Sequence, residues 1–351
     1  MKRVIIVILA LSMLLAIMCG CGNSSAPASS GDSNKVYEAK FATQEIETTF
    51  NSRIAVELWA EKVEAATDGR VKFVYYWSNS LCDVRDLLDN AESGAVDAFW
   101  AATSAFVGRY VAYLGLTLPG LGLITSADGA EAMWNWLQQE ECAKERGTAV
   151  LVACYPTGDM TINNSKGEIK TAADFNGLRL RALNSAWQAV YGELGIVPLS
   201  FNLPDTYENI SKNVCDGLVL DFNYLFFNRI YEVSKYNFDA SFSNNVGTIY
   251  LSPVFLDSLP DDLREIVLSC GGVELCREAG DYMASKLEGL KKGWVEEGGV
   301  LYPVSDEVNA ALENAFKAGV ANWIEECDGK GYNGQELYDR LISVTGPYFG
   351  K

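Results

Sequence analysis

Ala173-Asp174-Phe175-Asn176-Gly177-Leu178-Arg179-Leu180-Arg181-Ala182-Leu183 is the stretch on which the fold and the function both turn. Its first half, Asp174-Phe175-Asn176-Gly177, has the composition of a tight turn. Leu178 and Leu180 then alternate with Arg179 and Arg181 at the period of a strand, with Leu183 close behind. Two guanidinium groups therefore share one face. A guanidinium on a rigid strand holds a carboxylate through two parallel charge-assisted hydrogen bonds, which a flexible lysine does less well. The other use of such a pair is a solvated strand face. The rest of the chain decides between them.

Working outward, 351 residues of which 49% are apolar can bury a large core, and the length suggests two domains. Lys and Arg number 28 against 46 Asp and Glu, a net charge of −18 that repels phosphate backbones and anionic membrane faces. Nucleic acid is thereby a poor partner, and an anion site has to be a local positive spot screened from the global field. Arg181 is a candidate for that spot. The chain has no histidine. That removes Ser-His-Asp and Cys-His chemistry, H-E-x-x-H zinc sites and imidazole proton shuttles.

Lys2 and Arg3, the apolar run Val4–Met18 and the small-residue junction Cys19-Gly20-Cys21 read as a lipoprotein signal, too short for a comfortable transmembrane helix. Gly20 before Cys21 makes Cys21 the expected lipid anchor. The Ser-, Ala- and Gly-rich stretch that follows reads as a tether, so residues 1–20 form the signal and 21–35 the linker. Seven further cysteines, Cys82, Cys142, Cys154, Cys215, Cys270, Cys276 and Cys327, show no C-x-x-C pair and no metal spacing. They are expected as buried small hydrophobes, with neither metal nor cofactor implied.

Strand, helix, strand, helix, strand follow in order: 36–42, 51–66, 71–77, 84–94 and 95–100. That is a doubly wound α/β unit, whose ligand crevice lies beyond the carboxyl ends of its strands. Tyr155-Pro156-Thr157-Gly158 reads as a boundary, after which a second α/β unit begins. A long helical stretch starts at Leu259-Pro260-Asp261-Asp262, with Gly271-Gly272 as a kink, and Ser305 caps a final amphipathic helix through Val308, Leu312, Phe316, Val320 and Trp323.

Six stretches now stand in order and at suitable spacing: Trp59–Phe73, Asn79–Asp97, Leu116–Leu121, Thr171–Ala182, Leu203–Gly217 and Tyr231–Tyr236. Together they resemble the solute-binding proteins of tripartite ATP-independent periplasmic (TRAP) transporters, of the dicarboxylate-binding (DctP) type. The resemblance implies an α/β fold of two lobes, each a doubly wound mixed sheet, joined by crossing strands and a long spanning helix. It implies lobe 1 over 36–156 plus about 248–287, and lobe 2 over 157–247 plus about 288–351. It implies no enzyme but an extracytoplasmic protein, expected as a monomer, that closes on a small organic acid and delivers it to an ion-gradient-driven permease. A ligand-sensing partner of a membrane receptor, or the binding protein of an ATP-driven importer, is the alternative on the same fold.

Carried over by position, the second arginine of Gly177-Leu178-Arg179-Leu180-Arg181 takes the role of carboxylate clamp, and Arg179 does not. Other polar contacts usual in the family fall where this chain has none: no arginine near Asp159–Thr161, Leu220 in place of an Asn, and Ala102 at the exit of the third strand. Asn245 does match an expected polar position. With Trp100, Tyr155, Trp187, Phe201 and Asn223, these residues imply an aromatic-lined cavity for one carboxylate on an apolar body. Asp221, if it points inward, is expected to hold a ligand amine or hydroxyl instead.

Overall fold

A computed structural model describes residues 35–349. The signal segment, nearly all of the tether and the expected anchor Cys21 lie outside the described residues.

Ten strands form one sheet: β1 (Tyr37–Thr43), β2 (Val71–Tyr76), β3 (Ala98–Ala102), β4 (Val150–Asn164), β5 (Arg179–Arg181), β6 (Val197–Leu199), β7 (Gly217–Asp221), β8 (Tyr236–Phe238), β9 (Ser243–Leu251) and β10 (Val300–Tyr302). The order along it is β2-β1-β3-β9-β4-β7-β5-β6, with β8 bridging β4 and β10. At one end β1 pairs in parallel with β2 and β3, and at the other β5 pairs in parallel with β6 and β7. Every residue of β3 and of β7 is buried, as expected of strands covered on both faces.

The two ends are joined by β4 and β9, which run antiparallel from Val150 opposite Leu251 to Met160 opposite Ser243. The stretch Tyr155–Gly158 expected as a boundary thus lies within β4, which runs on through it. Pro156 fits inside a strand because the pairing register shifts between Pro156 and Asp159, where no ladder bond is asked of its nitrogen. Gly158, with φ 134, supplies the conformation the shift needs.

Two hydrophobic cores divide along this line. The first gathers Phe41, Trp59, Phe99, Trp136 and Tyr250, and the second gathers Ile162, Leu180, Trp187, Val219 and Phe238. The helix Val273–Glu296 serves both: Leu275, Cys276, Ala279 and Met283 belong to the first core, Leu290 and Trp294 to the second. At 1.5 Å per residue it is about 36 Å long, enough to reach across. It docks closely because Gly280 has no side chain; a Cβ there would lie 2.3 Å from the Ser126 carbonyl oxygen. Gly271-Gly272 does more than kink the preceding helix, which ends at Ser269. Gly272, at φ 98, instead donates its N–H to the Val152 carbonyl.

The last helices depart from the expected division. Within Asp306–Gly329, Val308, Leu312 and Ala315 pack in the second core, but Trp323 and Cys327 reach the first, where the Trp323 Nε1 donates to the Val111 carbonyl at 2.7 Å. Helix Gly334–Thr345 follows it there with Leu337 and Leu341. The described part of the stretch expected in the second lobe from residue 288 onward is thus divided between the two cores, because a helix of 24 residues is long enough to carry the chain back. Among the described residues no helix is long and apolar enough to cross a membrane. Six of the seven described cysteines are buried thiols and Cys82 is half-buried.

Candidate ligand cleft

Strand ends converge where the two cores meet. Gln44 and Glu45 follow β1, Trp100 and Ala102 close β3, and Asp221 closes β7. Thr157 and Asn245 come from the two crossing strands, Asn51 from the first helical turn, and Leu203 and Tyr224 from the far lobe. These groups enclose about 20 Å³, room for one water molecule. Volume alone would point elsewhere, to a groove of about 1030 Å³ between Leu118–Ile124 and the C-terminal helices. That groove is walled by Leu121, Phe242, Phe316 and Ile342. Buried polar groups converge on the small cavity, which is the mark of a binding site.

Asp221 is held by its own helix: its Oδ1 accepts from the Tyr224 N–H at 2.9 Å as the N-cap of Phe222–Phe227, and its Oδ2 accepts from the Thr157 hydroxyl at 2.8 Å. Burial pushes its carboxyl up to about 6 against these hydrogen bonds. Gly158 lets the two approach, since a Cβ at Gly158 would stand 3.3 Å from the Asp221 Cβ. From the other lobe Glu45 is raised to about 7, chiefly by burial and further by the charge of Asp221, with the Thr49 and Asn51 side chains opposing. Two carboxyls from different lobes thus share one desolvated space.

Trp100 donates its Nε1 to the Tyr155 hydroxyl at 2.6 Å, and that hydroxyl reaches the Asn51 carbonyl at 3.5 Å. Gly247 makes room for the pair, as a Cβ there would lie 3.0 Å from Trp100 Cζ2 and 3.1 Å from Tyr155 Cε2. Trp100 lines the cavity while Tyr155 stands behind it.

Arg181 ends β5, with its Nε donating to the Phe201 carbonyl at 3.0 Å and its guanidinium carbon 5.8 Å from the Phe201 ring centre. Its Nη1 is buried without a hydrogen-bond partner. Burial depresses its pKa below the ordinary arginine value, opposed by Tyr224 and Tyr191. Neither Arg181 nor Phe201 lines the small cavity; Tyr224, whose hydroxyl donates to the Leu203 carbonyl at 2.7 Å, lines it and interacts electrostatically with Arg181. Arg179 is spent differently: its Nε and Nη2 bind Asp216 at 3.1 and 2.8 Å, and Lys166 joins the same carboxylate at 3.1 Å.

Of the other residues singled out in the sequence, Asn245 lines the cavity, its Oδ1 accepting from the Val246 N–H. Asn223 lies behind the wall; its Oδ1 accepts from the Phe50 N–H at 3.3 Å across the lobes, and its Nδ2 has no partner. Trp187 does not reach the cavity but packs edge-on against Tyr191 and Phe316 in the second core. It faces inward because its helix turns that side to the core. Ala102 and Leu220, where the resemblance would have polar side chains, do line the wall. Glu45, Asn51, Thr157 and Tyr224 were not foreseen. The position of Glu45 just past the end of β1 was the available signal.

Two α/β lobes, two shared strands and a crevice at the strand ends define a solute-binding protein of the periplasmic type. Over residues 41–326 the chain matches the family described as bacterial extracellular solute-binding protein, family 7 (DctP), and it belongs to that family. That family is one of solute-binding proteins and not of enzymes. The chain is 20% identical over 262 residues, 72% of this chain and 78% of the other, to the 2,3-diketo-L-gulonate-binding periplasmic protein YiaO of Escherichia coli K12. Its fold is like that of a TRAP solute-binding protein from Rhodoferax ferrireducens in complex with copurified benzoate, with TM-score 0.81, 20% identity, and coverage of 89% of this chain and 98% of that one. A marine-metagenome TRAP protein in complex with 3-hydroxybenzoate is similar at TM-score 0.83 and 21% identity, covering 90% and 100%.

Proposed function

We propose that the chain captures a small organic acid between its lobes, binds the carboxylate through Arg181, and delivers it to an ion-gradient-driven TRAP permease. The observation that carries this reading is the buried Arg181 Nη1 without a partner. A desolvated guanidinium with no acid beside it costs stability and is retained where a ligand supplies the missing acceptor. Asp221 and Asn245 on the wall, Trp100 beside them with Tyr155 behind, Phe201 under the guanidinium and Asn223 at the lobe contact complete the site. Trp187 serves it only by packing the second core. The acids bound by the structural relatives are in keeping with a carboxylate ligand.

Lipid attachment at Cys21, after removal of residues 1–20, would tether a monomer on the outer face of the cell membrane. The lobes divide between Tyr155 and Asp159 and again near Gly247, with 273–296 and 306–329 serving both. Native mass spectrometry of the purified soluble domain, followed by denaturation, tests the reading: release of a small carboxylic acid is expected. Recovery of a ligand without an acid group, or of an acid that binds the Arg181→Ala variant unchanged, would overturn it.

A further inference from the structure

The cavity wall is rich in acceptors and poor in free donors. Thr157 and Tyr224 both line the cavity, but their hydroxyl hydrogens are already donated, to Asp221 and to Leu203. Asn51, 3% exposed and on the wall, is a hydrogen-bond partner of Glu45, yet its own Oδ1 has no donor. Glu45 adds a carboxyl from the first lobe and Asp221 one from the second. Among the described residues neither Glu45 nor Asp221 forms an ion pair with a lysine or arginine, whereas the buried Asp216 and the half-buried Glu141 do. An apolar ring against this wall would leave Asn51 Oδ1 without a donor, and would leave the two carboxyls only the hydrogen bonds of their own lobes, with no cation between them.

We infer that the ligand carries, beside the carboxylate taken by Arg181, an amino nitrogen that donates to Glu45, Asp221 and Asn51: the site takes an amino acid or a similarly aminated acid. The inference rests on the clamp reading of Arg181 and corrects the apolar body expected from the sequence. A nitrogen with several hydrogens satisfies acceptors from both lobes at once. An ammonium also screens two carboxyls that repel each other when the lobes meet. Burial raises both carboxyls, and the charge of Asp221 adds to the rise at Glu45. Their neighbours Thr49, Asn51, Thr157, Tyr155 and Tyr224 are uncharged at neutral pH.

Calorimetry with three matched pairs tests it: propionate and alanine, 3-methylbutanoate and valine, 3-phenylpropionate and phenylalanine. Within each pair that binds, the aminated acid should bind at least about tenfold tighter, a difference of about 1.4 kcal/mol. That preference should disappear in the Glu45→Gln, Asp221→Asn double variant, whose retained fold is checked by its melting transition and by residual binding of the amine-free acid. Arg181→Ala should abolish both members of a pair. Equal or tighter binding of the amine-free member by the wild type, or a preference that survives the double variant, overturns the inference while leaving the clamp in place. Binding that survives Arg181→Ala overturns the clamp instead. If no pair binds, the acid released from the purified protein decides, and one without nitrogen, or none at all, counts against the inference.

Discussion

Arg179 and Arg181 lie two residues apart on one strand and one face, and the two ends of β5 use them in opposite ways. At the outer end Arg179 meets a carboxylate the chain supplies, Asp216, already shared with Lys166. At the inner end Arg181 meets a backbone carbonyl and an aromatic ring, and one of its nitrogens meets nothing. A paired guanidinium has its field answered within the fold and adds to stability. An unpaired one keeps its hydrogen-bonding capacity, at the expense of the ligand-free protein, for a molecule that arrives later. Sequence period places the two alike; what separates them is the residue each one faces.

The comparison breaks most readily at Arg181. Replacing it by Ala should cost about 2–5 kcal/mol of ligand affinity, the usual penalty for losing one partner of a buried charged hydrogen bond. The melting temperature of the ligand-free protein should stay level or rise; a marked fall would make Arg181 a structural residue like Arg179. The acid pair across the cleft gives an effect of the same order. Glu45 and Asp221, raised to about 7 and about 6, bind protons more tightly when folded than unfolded. Their contribution is therefore greatest below the unfolded carboxyl range and is lost as pH rises through the folded values. Urea melts of the ligand-free protein should lose on the order of 4–5 kcal/mol between roughly pH 4.5 and 7.5. Glu45→Gln should flatten much of that slope, and a slope unchanged in the variant would exclude Glu45 as its source.

Asp216 gives the smallest effect and the opposite sign. Burial alone would raise its carboxyl, but the hydrogen bonds from Arg179 and Lys166 hold it below the ordinary value. Its stabilisation is present at neutral pH and lost as pH falls through its folded value, below about pH 4. Asp216→Ala should lower stability by about 1–2 kcal/mol, since its partners are partly exposed, and leave ligand affinity unchanged. Weaker ligand binding in this variant would show that the two ends of β5 are coupled.

Most of the architecture was legible because it follows from period and punctuation. The alternation of strands and helices through residues 36–100 and the turn before Arg179 read directly. The continuation of β4 through Pro156 did not, because a proline signals a break unless the partner strand is known to shift register opposite it. The return of the last helices to the first core was equally hidden, since the helical pattern from Val308 to Trp323 is one stripe whichever core each turn meets. At the site, Arg181 could be placed by its motif, but Glu45 could not. Its loop, Thr43–Thr49, is polar except for Ile46, and only the meeting of two lobes makes one acid of that loop a neighbour of Asp221.

The crossing ribbon of β4 and β9 acts as a leaf spring. Its pairing slips register twice, between Leu151 and Ala153 and again between Pro156 and Asp159, and the second slip lies beside the cavity. Thr157 and Gly158 occupy that slip, one bonded to Asp221 and the other pressed against it. Any flexing of the ribbon at that slip would therefore be felt first by the atoms around Asp221.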